Sequence, residues 1–152
     1  MSSLIIFAAK YLFILSPLTA GAYFLNASRE KKIKMLMLGG IALPFMYVTA
    51  KVLGHVYYDP RPFVQEHFTP LIPHDADNGF PSDHTLITAG VAAVIYFFNR
   101  PWGFALLGLA LLVGAARVAA GVHHPVDIVG SIVIAVVVSF STWFFMSRRM
   151  MR

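Results

Sequence analysis

Five apolar runs, separated by short polar segments, constrain the fold of this 152-residue chain more than any other feature. An α-helix needs about 20 residues to cross the ~30 Å hydrocarbon core of a bilayer, because it rises about 1.5 Å per residue. The runs cover residues 4–25, 35–57, 84–98, 102–120 and 126–146. The third is the shortest, and we expect it to extend into the residues before His84. The sequence predicts an all-α integral membrane bundle of about five transmembrane helices, folded as one domain over residues 1–152.

The distribution of charge predicts how the chain is oriented in the membrane. Only 12% of the residues are charged, against about 25% in soluble domains. Positive charge beside transmembrane helices marks the cytoplasmic side. The basic residues cluster after the first run and after the last: Arg29, Lys31, Lys32 and Lys34, then Arg148, Arg149 and Arg152. The net charge of +5 therefore indicates topology, and we expect membrane lipids rather than nucleic acid as partners.

Polar side chains gather at the opposite, outer ends of the predicted helices. Charged groups are costly within a membrane, so each one is a functional hypothesis. Three separated pieces of chain contribute them: Lys51, His55 and Arg61; Ser82, Asp83 and His84; and Arg117, His123, His124 and Asp127. Phosphoryl transfer uses such a set, because guanidinium and ammonium groups and helix N-terminal amides hold phosphate oxygens. The chain has no cysteine, which excludes disulfides and thiolate metal sites.

Two short segments predict the local geometry of this site. In GFPSDHT, residues 79–85, a proline and a capping serine or aspartate precede a helix whose first amides can face an anion. In HHPVD, Pro125 disfavours helical geometry at His124, so a helix should begin at Pro125. Asp127 can then accept a hydrogen bond from the His123 ring, fixing its tautomer and raising its nucleophilicity.

These residues resemble the three motifs of the type 2 phosphatidic acid phosphatase superfamily. The matching positions are Arg61 and Pro62; Pro81, Ser82 and His84; and Arg117, His123 and Asp127. Ala116 and Asp83 replace the usual serine and glycine, and Gly54 occupies the position of the usual lysine, with Lys51 one helical turn earlier. The segments YDPRPFV, LIPHDAD and FPSDHT are most similar to bacterial undecaprenyl-diphosphatases of the bacitracin-resistance type.

The resemblance implies a role for each matching residue. His123 would form a phosphohistidine, Asp127 would orient it, and His84 would protonate the leaving group and then activate water. Arg61, Arg117, Ser82 and Lys51 would hold the phosphate oxygens. No metal or other cofactor is implied. The implied substrate is undecaprenyl pyrophosphate, hydrolysed at the outer face of the bacterial plasma membrane by a multi-pass enzyme, which would recycle the carrier lipid and oppose bacitracin.

Other readings of the sequence remain open. A related phosphatase could act on another lipid, such as phosphatidylglycerol phosphate or the 1-phosphate of lipid A. A transporter or metal-ion carrier could use the histidines and Lys51, although carriers place polar groups at the bilayer midplane. A binding protein could keep the pocket without turnover. The sequence also leaves open whether His55 and His74 contact the substrate or only support the structure.

Overall fold

The computed structural model describes residues 2–150, with side chains up to Arg148. The helices are α1 (Ser2–Tyr11), α2 (Leu15–Asn26), α3 (Arg29–Val56), α4 (Pro62–Gln65), α5 (Asp83–Tyr96), α6 (Arg100–Ala119) and α7 (Pro125–Met150). No strand forms within residues 2–150, where one isolated bridge joins Pro60 to Asn78. The predicted all-α fold is confirmed. Of the predicted cytoplasmic basic clusters, Arg152 and the side chain of Arg149 lie outside the described part.

Among residues 2–150, four helical runs are long and apolar enough to cross a membrane: Ser2–Asn26, Arg29–Val56, Arg100–Ala119 and Pro125–Arg148. The third predicted crossing, α5, has only 14 residues and is about 21 Å long. We expected this helix to begin several residues before His84, and this is wrong, because only Asp83 precedes His84 in the helix. Pro81 disfavours helical geometry at Phe80, and Ser82 is the extended residue that precedes the helix.

The first hydrophobic segment is interrupted by a 3₁₀ turn over Leu12–Ile14. Pro17 in the first turn of α2 explains the break, because it offers no N–H to the carbonyl of Phe13 and its ring crowds that carbonyl. A tighter turn relieves this conflict. The break lies beside the site described below, where α1 and α6 pack together.

Local signals define the other helix starts. The side chain of Ser28 accepts a hydrogen bond from the Lys31 N–H at the start of α3, and that of Asn99 accepts one from Trp102 at the start of α6. Helix α7 begins at Pro125 as predicted. The carboxylate of Asp127 reaches back to the His124 N–H at 2.9 Å, which is half of a capping box. The same carboxylate is thereby fixed next to His123.

Helix α5 is the centre of the bundle and packs against α3, α6 and α7. Its buried face consists largely of small residues, including Ala89, Ala92 and Ala93. Gly103 of α6 lies so close to Tyr96 that a Cβ there would be 2.5 Å from the Tyr96 Cα. Small residues let membrane helices approach closely enough for dense van der Waals packing. The tight bundle gives the residues at the N-terminus of α5 a rigid support.

The segment between α3 and α5 is fastened by the side chain of Asn78. Its amide donates to the carbonyl oxygens of Gly54 and Tyr57 at 2.7 and 3.0 Å. Its oxygen accepts from the N–H groups of Asp59 and Phe80 at 2.9 and 3.0 Å. One side chain therefore joins the end of α3 to both ends of a loop that carries Arg61.

Candidate active site

A cavity of about 300 Å³ lies where the ends of α3, α5 and α6 meet the loops that follow α3 and α6. Five of the seven site residues predicted from the sequence line it: Lys51, Arg61, His84, Arg117 and His123. Asp127 lies behind His123. Ser82 is outside the set of lining residues. Pieces of chain far apart in sequence thus converge on one pocket.

His123 is fixed from behind by a carboxylate. Its Nδ1 lies 3.1 Å from Oδ2 of Asp127, which can only accept, so the ring donates from Nδ1 and leaves Nε2 as an unprotonated nitrogen. Only 2% of the His123 residue is exposed. Burial, together with the charges of Arg117 and Arg61, lowers the pKa of His123 to about 3. The imidazole therefore stays neutral near pH 7, as a nucleophile requires.

Arg61 holds the other side of His123. Its Nη1 lies 3.4 Å from Nε2 of His123 and donates to the carbonyl oxygen of Val122 at 2.8 Å. Its Nε donates to Oδ1 of Asp77 at 2.7 Å, and its Nη2 donates to the carbonyl oxygen of Asn78. Because each nitrogen of the guanidinium has a partner, the group is locked in place next to the imidazole.

Arg117 contributes a second buried guanidinium. Only 3% of the residue is exposed, and Nη1 donates to the carbonyl oxygen of Ala9 at 3.2 Å. Its Nε finds no hydrogen-bond partner among the described side chains and backbone. A buried cation with an unused donor costs free energy unless an anion binds to it. Arg117 is therefore a group that is completed by a ligand such as phosphate.

His84 is the half-buried second residue of α5 and also lines the cavity. The ring of Phe13, in the 3₁₀ turn, packs edge-on against it with centroids 4.5 Å apart. Phe13 lies in the break of the first helical segment. Just before that break lies Ala9, whose carbonyl oxygen accepts a hydrogen bond from Arg117. The N-terminal segment, which no motif covers, supports two residues of the site.

The structure does not bring Ser82 to the cavity. The residue is fully buried, its hydroxyl accepts from Thr85 at 3.2 Å, and its carbonyl accepts from Ser131. The hydroxyl is thus enclosed by buried residues at the start of α5 and is not among the groups that line the cavity. Its position at the start of α5 still aims the backbone amides of the first turn toward the site.

Lys51 does reach the cavity, from a different position than the usual motif lysine. Its ammonium is 3.8 Å from Oδ1 of Asp83 and 5.1 Å from the centre of the Tyr47 ring. Gly54, at the usual position, has no room for a side chain, because a Cβ there would be 2.9 Å from the carbonyl oxygen of Phe80. The close approach of the loop to α3 explains why the lysine is absent from position 54.

Several residues of the site were missed or left undecided by the sequence. His74 lines the cavity with its ring 6.1 Å from that of His123, and its buried Nδ1 has no partner within residues 2–150. Burial and the charges of Arg61 and Arg117 lower the pKa of His74. Its position in LIPHDAD was the one available signal. Asp59 lies in YDPRPFV, another segment of that kind, but the sequence gave no signal for its contact with His124, 65 positions away, in which Oδ2 lies 2.8 Å from Nδ1.

Asp59, His124 and Asp127 have ligand-type atoms within 4.8 Å of one another. Each also has a partner that a hydrogen-bond network explains: His124 binds Asp59, and Asp127 binds His123. These contacts form two histidine–carboxylate pairs, and the two histidines are neighbours in the sequence. The group therefore fits a network that orients the loop before α7, in which Oδ2 of Asp127 is engaged while its buried Oδ1 has no partner within residues 2–150.

Buried guanidinium groups around a neutral imidazole suit the transfer of a phosphoryl group, and apolar helices embed that chemistry in a membrane. The class defined in this way is that of integral membrane phosphatases. The PAP2 superfamily model matches residues 33–151, which include all the lining residues of the cavity. The chain belongs to the PAP2 superfamily and is a hydrolase that acts on phosphate esters or anhydrides.

Individual relatives agree with this assignment. The chain is 34% identical to undecaprenyl-diphosphatase BcrC of Bacillus subtilis, over 92% of this chain and 72% of the relative. It is 35% identical to the putative undecaprenyl-diphosphatase YbjG of Escherichia coli, over 87% and 67%. Phosphatidylglycerophosphatase B of B. subtilis is 28% identical over 66% and 55%. The crystal structure of Aquifex aeolicus LpxE superimposes with a TM-score of 0.72 and 25% identity, covering 93% of this chain and 84% of that one.

Proposed function

We propose that the protein hydrolyses undecaprenyl pyrophosphate to undecaprenyl phosphate and inorganic phosphate through a phosphohistidine on His123. The observation that carries the proposal is the geometry of that side chain, which lines the cavity: Nδ1 is engaged by Asp127, and Nε2 lies beside Arg61. The relatives named undecaprenyl-diphosphatase support the choice of lipid. A site at the ends of membrane helices suits a substrate whose head group is polar and whose tail remains in the bilayer.

In the first step, the lone pair of Nε2 attacks the terminal phosphorus and an N–P bond forms. Arg61 exchanges its contact with Nε2 for a phosphate oxygen, and the unused Nε of Arg117 donates to another. The bond from phosphorus to the bridging oxygen breaks. Its electron pair stays on the lipid phosphate, which takes a proton from His84. The Nδ1 proton remains in the hydrogen bond to Asp127, which stabilises the positive charge that develops on the ring.

In the second step, water attacks the phosphohistidine. His84, which is now neutral, takes a proton from the water, and the electron pair of the N–P bond returns to Nε2. Inorganic phosphate leaves, and both histidines regain their starting protonation states. The two guanidinium groups hold the same phosphoryl oxygens through both steps, so the charge in each transition state meets donors that are already in place.

The proposed location is the bacterial plasma membrane, with the cavity facing outward. Basic residues lie at the helix ends opposite the cavity: Arg29, Lys31, Lys32, Lys34, Arg100 and Arg148. The positive-inside rule assigns that end to the cytoplasm. Hydrolysis on the outer face would return the carrier lipid for wall synthesis and remove the lipid that bacitracin binds. Cysteine labelling of Ser2→Cys and Asp75→Cys in intact cells tests this orientation.

The direct test is a substrate panel on the purified protein in detergent, with phosphate release as the readout. Wild type should hydrolyse a long-chain isoprenyl pyrophosphate, and His123→Ala should lose that activity. An alkaline quench followed by phosphohistidine detection should show a labelled intermediate in wild type and none in His123→Ala. Unchanged turnover in His123→Ala would reject the mechanism.

A second candidate is a phosphatase of another phosphorylated lipid. The relative named phosphatidylglycerophosphatase B favours this alternative, and lipid A 1-phosphate belongs to the same chemical class. The same panel decides between them, because kcat/KM for phosphatidylglycerol phosphate or lipid A 1-phosphate would then exceed that for the isoprenyl pyrophosphate. Ion flux in liposomes without hydrolysis, or tight binding without turnover, would favour a transporter or a binding protein instead.

A further inference from the structure

The cavity has a buried floor and an exposed rim. Arg61, Arg117 and His123, which form the floor, are 4%, 3% and 2% exposed. On the side of α3 and the start of α5, Lys51 and Asp83 have side chains that are 51% and 58% exposed. The floor therefore holds two cations that surround the nucleophile, and a third cation sits at a separate level, where the pocket opens.

The ammonium of Lys51 is held at that rim by two contacts. Asp83 attracts it from 3.8 Å, and the ring of Tyr47, one turn earlier on α3, lies 5.1 Å away. An aromatic face and a carboxylate both favour a cation. Asp83 is itself the first residue of α5, where the helix N-terminus favours negative charge. Lys51, which lines the cavity, is therefore held at its opening beside Asp83.

The order of groups along the cavity points to a ligand with two phosphates. His84 follows Asp83 directly in α5, lines the cavity and is half-buried, so by burial the proposed proton donor lies between the buried floor and the exposed rim. If the terminal phosphorus contacts His123, the departing oxygen lies near His84, and whatever that oxygen carries extends toward Lys51. In a diphosphate ester this next group is the second phosphate, which gains charge as the bond breaks and needs a cation at that point.

We infer that Lys51, positioned by Asp83, forms a second phosphate subsite that selects lipid diphosphates over lipid monophosphates. The inference rests on the proposed function and assigns Lys51 to the leaving phosphate instead of the transferred one. A lipid monophosphate has no charged group at that level, so the ammonium contributes to diphosphate turnover far more than to monophosphate turnover.

Two substrates with one lipid chain, an isoprenyl diphosphate and the corresponding monophosphate, test the inference. We expect Lys51→Met to lower kcat/KM for the diphosphate at least tenfold more than for the monophosphate. Lys51→Arg, which keeps the charge, should restore most of the loss. Equal losses on both substrates would overturn the inference, because Lys51 would then serve the transferred phosphate. Wild type that hydrolyses no diphosphate would instead overturn the proposed function, before any variant is compared.

A matched control lies on the same helix. Lys34 pairs with Glu30 at 2.6 Å near the opposite end of α3, and Lys34→Met should leave both turnover rates unchanged. Competitive inhibition gives a second readout that needs no monophosphate turnover. In Lys51→Met, inhibition by inorganic pyrophosphate should weaken at least tenfold while inhibition by inorganic phosphate changes less than threefold. Equal weakening of both would contradict the subsite.

Discussion

Nη1 of Arg61 lies 3.4 Å from Nε2 of His123, although the two residues are 62 positions apart in the sequence. A guanidinium can only donate, so this contact requires a lone pair on Nε2. Asp127 on the other side requires a proton on Nδ1. The two contacts agree on one tautomer, and it is the tautomer that presents Nε2 as a nucleophile to a phosphoryl group bound by Arg61.

Removing the charge of Asp127 tests this arrangement. In Asp127→Asn the amide can rotate so that its NH₂ group faces His123, which would favour the wrong tautomer. We expect kcat to fall on the order of 10²–10⁴-fold with a smaller change in KM. Asp75→Asn, in the exposed loop before α5, is the control for loss of a carboxylate and should keep wild-type rates. A kcat within threefold of wild type in Asp127→Asn would contradict the positioning role.

The neutral state of His123 predicts that the protein loses stability in acid. The folded pKa of about 3 lies below the ordinary value of about 6.5. As pH falls through 6.5 the unfolded chain binds a proton that the folded chain does not bind, so the free energy of unfolding decreases until the pH reaches about 3. At pH 5 the loss from this residue is roughly 2 kcal/mol.

Thermal unfolding in detergent measures this effect. Between pH 7 and pH 5 the Tm of wild type should fall more steeply than that of His123→Gln, which has no proton to take up at this position. His67→Asn is the matched control, because His67 is exposed and has a positive φ that asparagine tolerates. Its Tm should follow the wild-type pH dependence. Parallel curves for wild type and His123→Gln would show that His123 does not titrate in this way.

The sequence predicted the parts of this molecule that depend on local pattern. The apolar runs matched the helices within a few residues, except at the start of α3, where the basic residues from Arg29 already belong to the helix. The spacing of His123 and Asp127 around Pro125 was sufficient to predict their contact, because helix geometry fixes it. The orientation of the Ser82 hydroxyl could not be predicted in this way, because it depends on the hydrogen bond from Thr85 and on the buried residues around it.

The contacts that no local pattern encodes could not be predicted. The pairing of Asp59 with His124 depends on how the loop after α3 returns to α7, and Asn78 controls that return through four hydrogen bonds. The support of Arg117 by the Ala9 carbonyl follows from the docking of α1 on α6. Pro17 was a visible signal for a break in the first helix, but its consequence for His84 and Arg117 required the tertiary structure.

The contact of Phe13 with His84 predicts a positioning role for Phe13. In Phe13→Leu the edge-on contact at 4.5 Å is lost, and the His84 ring gains freedom to leave its working orientation. We expect kcat for the lipid substrate to fall about tenfold, within the range that proton transfer contributes. For a dinitrophenyl phosphate, whose phenolate is a weaker base than a phosphate monoester and leaves without a proton, the loss should be less than threefold. Phe13→Tyr should restore activity on the lipid.

The control for Phe13 is Phe7→Leu, because Phe7 lies on α1 with its ring against Tyr11 and more than half exposed. It should leave both rates unchanged. If Phe13→Leu lowers the rates for lipid and aryl phosphate equally, the residue supports the fold of the site and not the proton transfer. That outcome would reject the specific role in orienting His84.

Gly54 provides the test of why the motif lysine is displaced. A Cβ at this position would lie 2.9 Å from the carbonyl oxygen of Phe80 and 3.7 Å from Pro81 Cδ. Because the obstacle is backbone, Gly54→Lys must push the loop that carries Arg61 away from α3. We expect the Gly54→Lys variant to have a Tm several degrees lower than wild type and to lose activity instead of gaining it. Gly54→Ala should show a smaller loss of both.

The control is Gly40→Ala, on the same helix with no neighbouring atom within 4 Å. It should be neutral or slightly stabilising, since alanine favours helix more than glycine. A Gly54→Lys variant that keeps wild-type Tm and supports turnover after Lys51→Met would show that the cavity accepts the ammonium from either turn of α3.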